Sequence, residues 1–257
     1  MAAQRAQQHG FSLVEIAIAL IIMGLIMGSG LNMIKSRQDL ARVQSTQKAL
    51  ADIQDALIGY AISQSPPHLP CPATTNSGLE AFNAATGVCN AVEGNLPWST
   101  LGVADTDAWG HRYHYRVTPA FSNRAPAATP THLSVGTLRV CQTNACANVI
   151  ASNVPAIVLS FGPDGYGGMN SNGVVAPLAP AGYVDERQNT NLNNTFVSRP
   201  PTKVGSPLGP FDDIVVWLSR SLGARRFSTV ARLMTRWTKA SAVYGLCACT
   251  AGSVVAA

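Results

Sequence analysis

The chain has 257 residues, of which 47% are hydrophobic and only 12% are charged, and it contains 22 glycines and 16 prolines. This composition excludes a disordered chain and favours a globular part rich in strands and loops, attached to a membrane segment. The formal charge of +5 is uneven, because six of the 18 basic residues lie in residues 220–257, where there is no acid. Residues 1–219 lack the basic surplus of a nucleic-acid-binding domain, so we expect the globular part of the chain to bind no nucleic acid.

A polar leader and an apolar run open the chain. The leader, MAAQRAQQHG, has one basic side chain, Arg5, and residues 11–34 that follow have one charged residue, Glu15. The run is long enough to span a bilayer as a helix, but it is too long for a secretory signal peptide. Arg5 predicts a cytoplasmic leader, although Lys35 and Arg37 beyond the run oppose this orientation. An ionised acid inside a membrane costs roughly 2.5 kcal/mol or more, so Glu15 needs a partner, which an ordinary membrane anchor would not supply.

The junction between leader and run has the sequence GFSLVE, residues 10–15. It resembles the signature of type IV pilins and type II secretion pseudopilins, in which a short basic leader ends in Gly and Glu is the fifth residue of the apolar run. The resemblance implies that a prepilin peptidase cuts between Gly10 and Phe11 and methylates the new N-terminus. It also implies that subunits leave the membrane, on an inner-membrane assembly platform, to build a helical filament around their N-terminal helices.

Cleavage at this junction would give Glu15 its partner. The new N-terminal amine would lie at Phe11, four residues before Glu15. In a staggered stack of helices, Glu15 of one subunit would meet the amine of its neighbour, since a buried charge left alone is costly. We therefore predict that Glu15 sets the register of assembly, with Gly10 and Phe11 as the processing junction.

A single helix is predicted for residues 11–64, because no proline interrupts them and prolines follow at once. At about 1.5 Å per residue it would be roughly 75–80 Å long. Residues 11–34 would form the membrane and assembly part. Residues 35–64 would form an amphipathic part that packs on a head, with a coiled coil as the alternative, because apolar residues recur at helical spacing: Leu40, Val43, Leu50, Ile53, Leu57 and Ile58.

The head is predicted to comprise residues 65–219. Four runs in it have the β-branched and aromatic composition of strands: residues 111–117, 133–141, 156–162 and 213–219. Their spacing predicts one four-stranded antiparallel sheet packed on the helix. The fold class is therefore α+β, with a long N-terminal helix.

Two stretches of the head extend the resemblance. DAWGHRYHYRV, residues 107–117, is similar to the start of the sheet in major pseudopilins, with Ala108 in place of a proline. SFGPDGYGG, residues 160–168, with the later FDDIVVW resembles their glycine-rich loop and closing strand. In that family the loop holds a structural calcium ion. The resemblance implies that Asp164 and one of Asp212 or Asp213 are carboxylate ligands, with backbone carbonyls completing the oxygen shell.

The chain departs from the family by an insertion, residues 169–210, where the family has a short loop. Because Pro-Asp-Gly is itself a strong turn sequence, a plain turn without a cation is the alternative to the calcium site. These departures suggest an atypical or minor subunit.

Two acidic pairs, Asp105 with Asp107 and Asp185 with Glu186, are interpreted as solvated loop charges.

The six cysteines occur as three pairs that are close in sequence. A metal site is disfavoured, because no CxxC occurs and no histidine flanks the cysteines at ligand spacing. Disulfides are predicted for Cys71 with Cys89 and for Cys141 with Cys146, which requires an oxidising space such as a periplasm. Buried free thiols are the alternative.

No catalytic motif is found. His111 and His114 would point to opposite faces of a strand, and Ser160 lacks the surroundings of a nucleophile.

The sequence predicts a structural subunit of a type IV pilus or type II secretion pseudopilus, held in the bacterial inner membrane with its head in the periplasm. Expected partners are prepilin peptidase, other pilin or pseudopilin subunits, the assembly platform and the lipid bilayer. The alternatives are a periplasmic enzyme or binding module on a single anchor, and a tip subunit that binds a surface or DNA.

The basic tail, residues 220–257, differs in character from the rest. Its apolar residues at helical spacing face several arginines, which is typical of a helix that binds anionic lipid or a partner. The alternative is an extension without selected function, which is favoured because the family pattern stops at Ser219.

Overall fold

The computed structural model describes residues 12–124, 130 and 133–219, except for the side chains of residues 25–36. The leader, Gly10, Phe11 and the basic tail lie outside these residues. Helices and strands follow in this order: α1 Leu13–Ser63, β1 Glu93–Asn95, α2 Trp98–Leu101, β2 His114–Val117, α3 Pro119–Ser122, β3 Leu138–Cys141, β4 Val149–Val154, β5 Ala156–Ser160, α4 Val184–Asn189, β6 Thr195–Val197 and β7 Ile214–Trp217.

The first element, α1, is 51 residues long and falls within the predicted range of residues 11–64. It begins where the Ser12 hydroxyl accepts a hydrogen bond of 3.2 Å from the backbone N–H of Glu15, which is the bond of a helix N-cap. It ends at Ser63, before the paired prolines that cannot continue it. Residues of α1 up to Ser45 form one compact unit, and those from Thr46 onward belong to the head.

In the first unit, the described apolar side chains of α1 are largely exposed. Between Leu13 and Met23 their exposed fractions run from 49% at Ile16 to 88% at Leu13, so this surface lacks an apolar partner within the described chain. No helix among the described residues combines the length and the apolar character that crossing a membrane requires. The predicted span, residues 11–34, includes Phe11 and side chains that lie outside the described ones.

The head is built on a four-stranded antiparallel sheet in the order β1-β2-β5-β7. One face of this sheet packs on the head part of α1, where Leu50, Ile53 and Leu57 are buried against Tyr113 and Tyr115. Of the predicted apolar stripe, Leu50, Ile53, Leu57 and Ile58 are buried in the head. Leu40 is 63% exposed and belongs to the first unit.

A second sheet, in the order β4-β3-β6, was not predicted. Residues 133–141 were expected in the main sheet, but the strand they contain, β3, pairs with β4 and β6 instead. The physical reason is that β5 has both edges occupied, by β2 and β7, and the fourth place in the main sheet is taken by β1. The head has two hydrophobic cores, and alternate residues of β5 face one or the other. Val158 packs in the core against α1. Ile157 and Leu159 pack in the second core with Val140 and Phe196.

Both predicted disulfides are present. Cys71 is bonded to Cys89 and Cys141 to Cys146, with Cα atoms 5.3 Å and 5.0 Å apart. The first bridge closes the loop after α1. The second closes the short connection between β3 and β4, so each links residues that are near in sequence.

Candidate functional site

The glycine-rich loop after β5 lies against the start of β7. The backbone N–H of Asp164 donates to Asp212 Oδ2 at 3.3 Å. Gly162 has φ +63°, and a Cβ atom there would lie 2.5 Å from the carbonyl oxygen of Asp212. Glycine at this position therefore allows both a left-handed conformation and the close approach of two backbones. The result is that Asp164 and Asp212, far apart in sequence, are neighbours.

A third carboxylate completes the cluster, and sequence reasoning missed it. One carboxylate oxygen each of Asp164, Glu186 and Asp212 lie within 4.8 Å of one another. Asp164 is exposed, Asp212 is half-buried and Glu186 is only 2% exposed. Both oxygens of Glu186 and Oδ1 of Asp212 are buried and make no hydrogen bond of normal geometry among the described residues, although the backbone N–H of Asp212 is close enough to Glu186 to lower its pKa. Glu186 was interpreted as a solvated loop charge, and that interpretation is wrong.

The electrostatics of the cluster reflect three acids with too little positive charge. Burial, followed by the charges of Asp164 and Asp212, raises the pKa of Glu186 to about 8. Burial and the charge of Asp164 raise the pKa of Asp212 to about 7. Burial also raises the pKa of Asp164. Carboxylates that resist ionisation in this way are stabilised by protons or by a cation between them.

The donor set fits a hard cation. All three ligand atoms are carboxylate oxygens, and all-oxygen shells are typical of calcium and magnesium, whereas zinc and copper sites typically include nitrogen or sulfur ligands. The buried and unpartnered oxygens of Glu186 are the specific observation, because desolvated carboxylate oxygens without donors are costly unless a cation binds them. Calcium bound here would offset two of the three negative charges and connect the glycine-rich loop, the insertion and the start of β7.

Asp213 lies next to the carboxylate cluster but is not a member of it. Its carboxylate is buried, and Oδ2 accepts a hydrogen bond of 2.7 Å from the Asn189 amide. Burial raises the pKa of Asp213 well above its usual range. Asp213 is not in the carboxylate cluster, which leaves Asp212 as the member of the predicted pair that is placed to bind a cation.

Asp185, also interpreted as a solvated charge, is instead a buried partner of Arg199. The Arg199 Nε lies 2.7 Å from Asp185 Oδ2, and the backbone N–H of Asn144 donates to Oδ1 at 2.8 Å. Arg199 also donates to the carbonyls of Leu208 and Gly209. This pair therefore fastens the insertion to the loop closed by the Cys141–Cys146 bridge.

Asp107 was interpreted in the same way and is likewise buried, at 6% exposure. Its Oδ1 accepts hydrogen bonds from the backbone N–H groups of Trp109 and His111, and Oδ2 accepts one of 2.6 Å from the Ser160 hydroxyl. His111 Nδ1 is 3.8 Å from the same carboxylate and closer, at 3.1 Å, to the carbonyl of Gly162. Since Ser160 is fully buried and bonded to Asp107, this group connects the turn before β2 to the end of β5.

Glu15 is the predicted assembly residue that the structure describes. It lies in the first turn of α1 and its side chain is exposed, among exposed apolar residues of the first unit. An acid in the first turn is stabilised by the positive end of the helix dipole. Its predicted partner, the Phe11 amine, lies outside the described residues.

Comparison with known proteins gives two matches. Residues 5–31 match the family model described as the prokaryotic N-terminal methylation motif. The chain is similar to type II secretion system core protein G of Pseudomonas aeruginosa, with 32% identity over 113 residues that span 44% of this chain and 75% of that protein. No solved structure matches the chain.

Proposed function

This chain belongs to the pilin and pseudopilin family, and we propose that it is a minor or atypical structural subunit of a type IV pilus or a type II secretion pseudopilus. The main support is the conjunction of the methylation motif at residues 5–31 with the similarity to core protein G. The insertion and the basic tail are the features that favour an atypical subunit over a standard one. Its function would be assembly, and the covalent chemistry would belong to the enzyme that processes it.

Processing and assembly follow from the N-terminal residues. Prepilin peptidase would cut between Gly10 and Phe11 and methylate the Phe11 amine. The amine remains positive after methylation, so it can pair with Glu15 of an adjacent subunit. The exposed apolar side chains of α1 between Leu13 and Met23 would be covered by lipid before assembly and by neighbouring helices afterwards. The pair would set the register, because either charge left alone in these surroundings is costly.

The proposed location is the bacterial inner membrane, with the head in the periplasm until an assembly platform adds the subunit to a filament. Two disulfides in the head agree with an oxidising compartment. Other pilin or pseudopilin subunits would be the partners in the filament. Recovery of the protein in sheared filaments from the native cell would support this function, and recovery only as separate membrane-held molecules would contradict it.

We also propose that the head holds a structural calcium ion at the carboxylate cluster, with Asp164 and Asp212 as ligands. The buried oxygens without donors support it, together with the resemblance of the loop to the calcium loop of pseudopilins. Isothermal titration of the full-length protein in detergent with CaCl₂ tests this. One calcium per chain is expected, and an absence of binding would contradict the proposal.

A further inference from the structure

The insertion, residues 169–210, supplies one of the three acids of the carboxylate cluster. Glu186 lies in α4, which is the only helix of the insertion among the described residues. The other two acids come from the body of the head, since Asp164 follows β5 and Asp212 immediately precedes β7. The cluster is therefore a place where the insertion meets β5 and β7, which are neighbouring strands of the main sheet.

Other residues of α4 fasten the insertion by complete polar contacts. Asp185 pairs with Arg199 of the insertion at 2.7 Å and accepts a hydrogen bond of 2.8 Å from the backbone N–H of Asn144, which lies outside the insertion. The Asn189 amide donates to Asp213 and to the carbonyl of Val197, and the backbone N–H of Val197 donates back to Asn189 Oδ1 at 2.7 Å. Glu186, between these residues, has two buried oxygens that make no hydrogen bond of normal geometry in the described chain. This position of α4 is thus unfavourable in the folded head unless a cation or a proton neutralises the carboxylate.

We propose that Glu186 is a direct ligand of the cation and that binding of the cation stabilises the contact of α4 with the head, in addition to the polar contacts of Asp185 and Asn189. This inference rests on the proposed calcium site and adds to it a regulated segment. Without the cation, the three acids either repel one another or take up protons, and neither state provides the bonds by which a cation connects Glu186 to Asp164 and Asp212. We therefore expect α4 to be the part that moves. Asp212 precedes a strand paired along its length, and Asp164 is held by the turn, but Glu186 belongs to a segment of loops and short elements.

The arrangement of strands limits what would move. Removal of the cation would release α4 and then β6, whose pairing with β3 is three residues long. The main sheet would stay folded, because its strands pair with one another and with α1 through a separate core. Cation binding is expected to change local opening of the insertion more than opening of the whole head.

Hydrogen exchange of the full-length protein in detergent, read by mass spectrometry in CaCl₂ and in EGTA, tests the proposal. Peptides covering Val184–Asn189 and Thr195–Val197 are expected to exchange at least tenfold faster in EGTA. Peptides covering Ala156–Ser160 are expected to stay protected in both conditions. In Glu186→Gln the calcium-dependent difference at α4 is expected to disappear.

Asp213→Asn is the matched control. It changes a buried acid that contacts the same helix through Asn189 and lies close to the cluster without contributing a ligand atom to it, so the response to calcium is expected to persist. If Glu186→Gln fails to fold, the comparison of the natural chain in CaCl₂ and EGTA decides alone.

Three results would overturn the inference. Calcium that binds and raises the melting temperature without slowing exchange at α4 would refute it and leave the calcium site standing. Equal changes at α4 and β5 would do the same, since they would indicate global stabilisation only. No calcium binding by titration would refute both the inference and the proposed site.

Discussion

Ser12 and Glu15 show how one turn of helix can combine a folding role with an assembly role. The Ser12 hydroxyl caps the helix, and the Glu15 carboxylate lies in its first turn. Capping acts within one chain, whereas the proposed pair with the Phe11 amine acts between chains. The two roles can therefore be separated by substitution of one residue at a time.

Glu15→Ala is expected to abolish filament formation, because the amine of each neighbouring subunit would be left without its partner. Ser12→Ala removes only the cap, which is worth about 1 kcal/mol of helix stability, and is expected to leave filaments at a reduced or equal yield. The measurement is the amount of subunit in sheared filaments relative to the membrane fraction. Normal filaments from Glu15→Ala would show that the acid has no role in assembly.

Asp212 and Asp213 are adjacent in sequence but differ in their expected response to calcium. At a calcium concentration one hundred times the dissociation constant, a bound ion stabilises the fold by about 2.7 kcal/mol. Asp212→Asn is expected to lose this stabilisation and, in EGTA, to melt higher than the natural chain because one repelling charge is gone. Asp213→Asn is expected to keep the calcium response. Melting curves in CaCl₂ and EGTA check both, and loss of the response in Asp213→Asn alone would make Asp213 the ligand.

At the scale of elements, the two disulfides are expected to contribute different amounts to the free energy of unfolding. A bridge stabilises the fold mainly by restricting the unfolded chain, so a longer closed loop gives more. The sequence separation is 18 for Cys71–Cys89 and 5 for Cys141–Cys146. Replacing the first pair by alanines is expected to cost about 3 kcal/mol and the second about 2 kcal/mol. Denaturant unfolding measures both, and a larger cost for the second pair would show that its contacts with the insertion outweigh the loop effect.

Elements with a strong local pattern were predictable from the sequence. Apolar spacing and paired prolines locate the head part of α1 and its end, and runs of β-branched residues locate β2, β3, β5 and β7. The sheet to which β3 belongs was not predictable, because strand pairing is decided between distant segments. The three-residue strand β1 has too little pattern of its own, and its pairing with β2 creates it.

The candidate site likewise contains residues that were predictable from the sequence and one that was not. Asp164 and Asp212 lie in stretches whose residues match a known loop and strand, so resemblance was enough to locate them. Glu186 lies in VDERQN, a polar hexapeptide whose composition is that of an exposed turn. Its burial depends on the pairing of β6 with β3 and on the hydrogen bond from Asn144 to Asp185, which bring α4 onto the head, and no local feature of the sequence encodes these contacts.

At the scale of the whole molecule, the net positive charge of the chain comes from a tail that the family pattern does not include. Residues 220–257 hold six basic residues and no acid, whereas the main sheet is complete at Trp217. A chain truncated after Ser219 is therefore expected to fold and to enter filaments as well as the full chain. The yield in sheared filaments measures this, and a marked loss would assign the tail a role with lipid or a partner.

The order of processing and assembly gives the last prediction. While the leader is attached, the nitrogen of Phe11 is a neutral amide, so it cannot neutralise Glu15 of a neighbour. Gly10→Leu places a bulky side chain at the cleavage point and is expected to leave the precursor in the membrane with its first ten residues. Glu15→Ala is expected to be processed and yet remain in the membrane. Mass spectrometry of each fraction separates the two failures, because methylated Phe11 should be the first residue of all filament material. Filaments that retain the leader would show that the register is set without a free amine, and the charge-pairing mechanism would then be wrong.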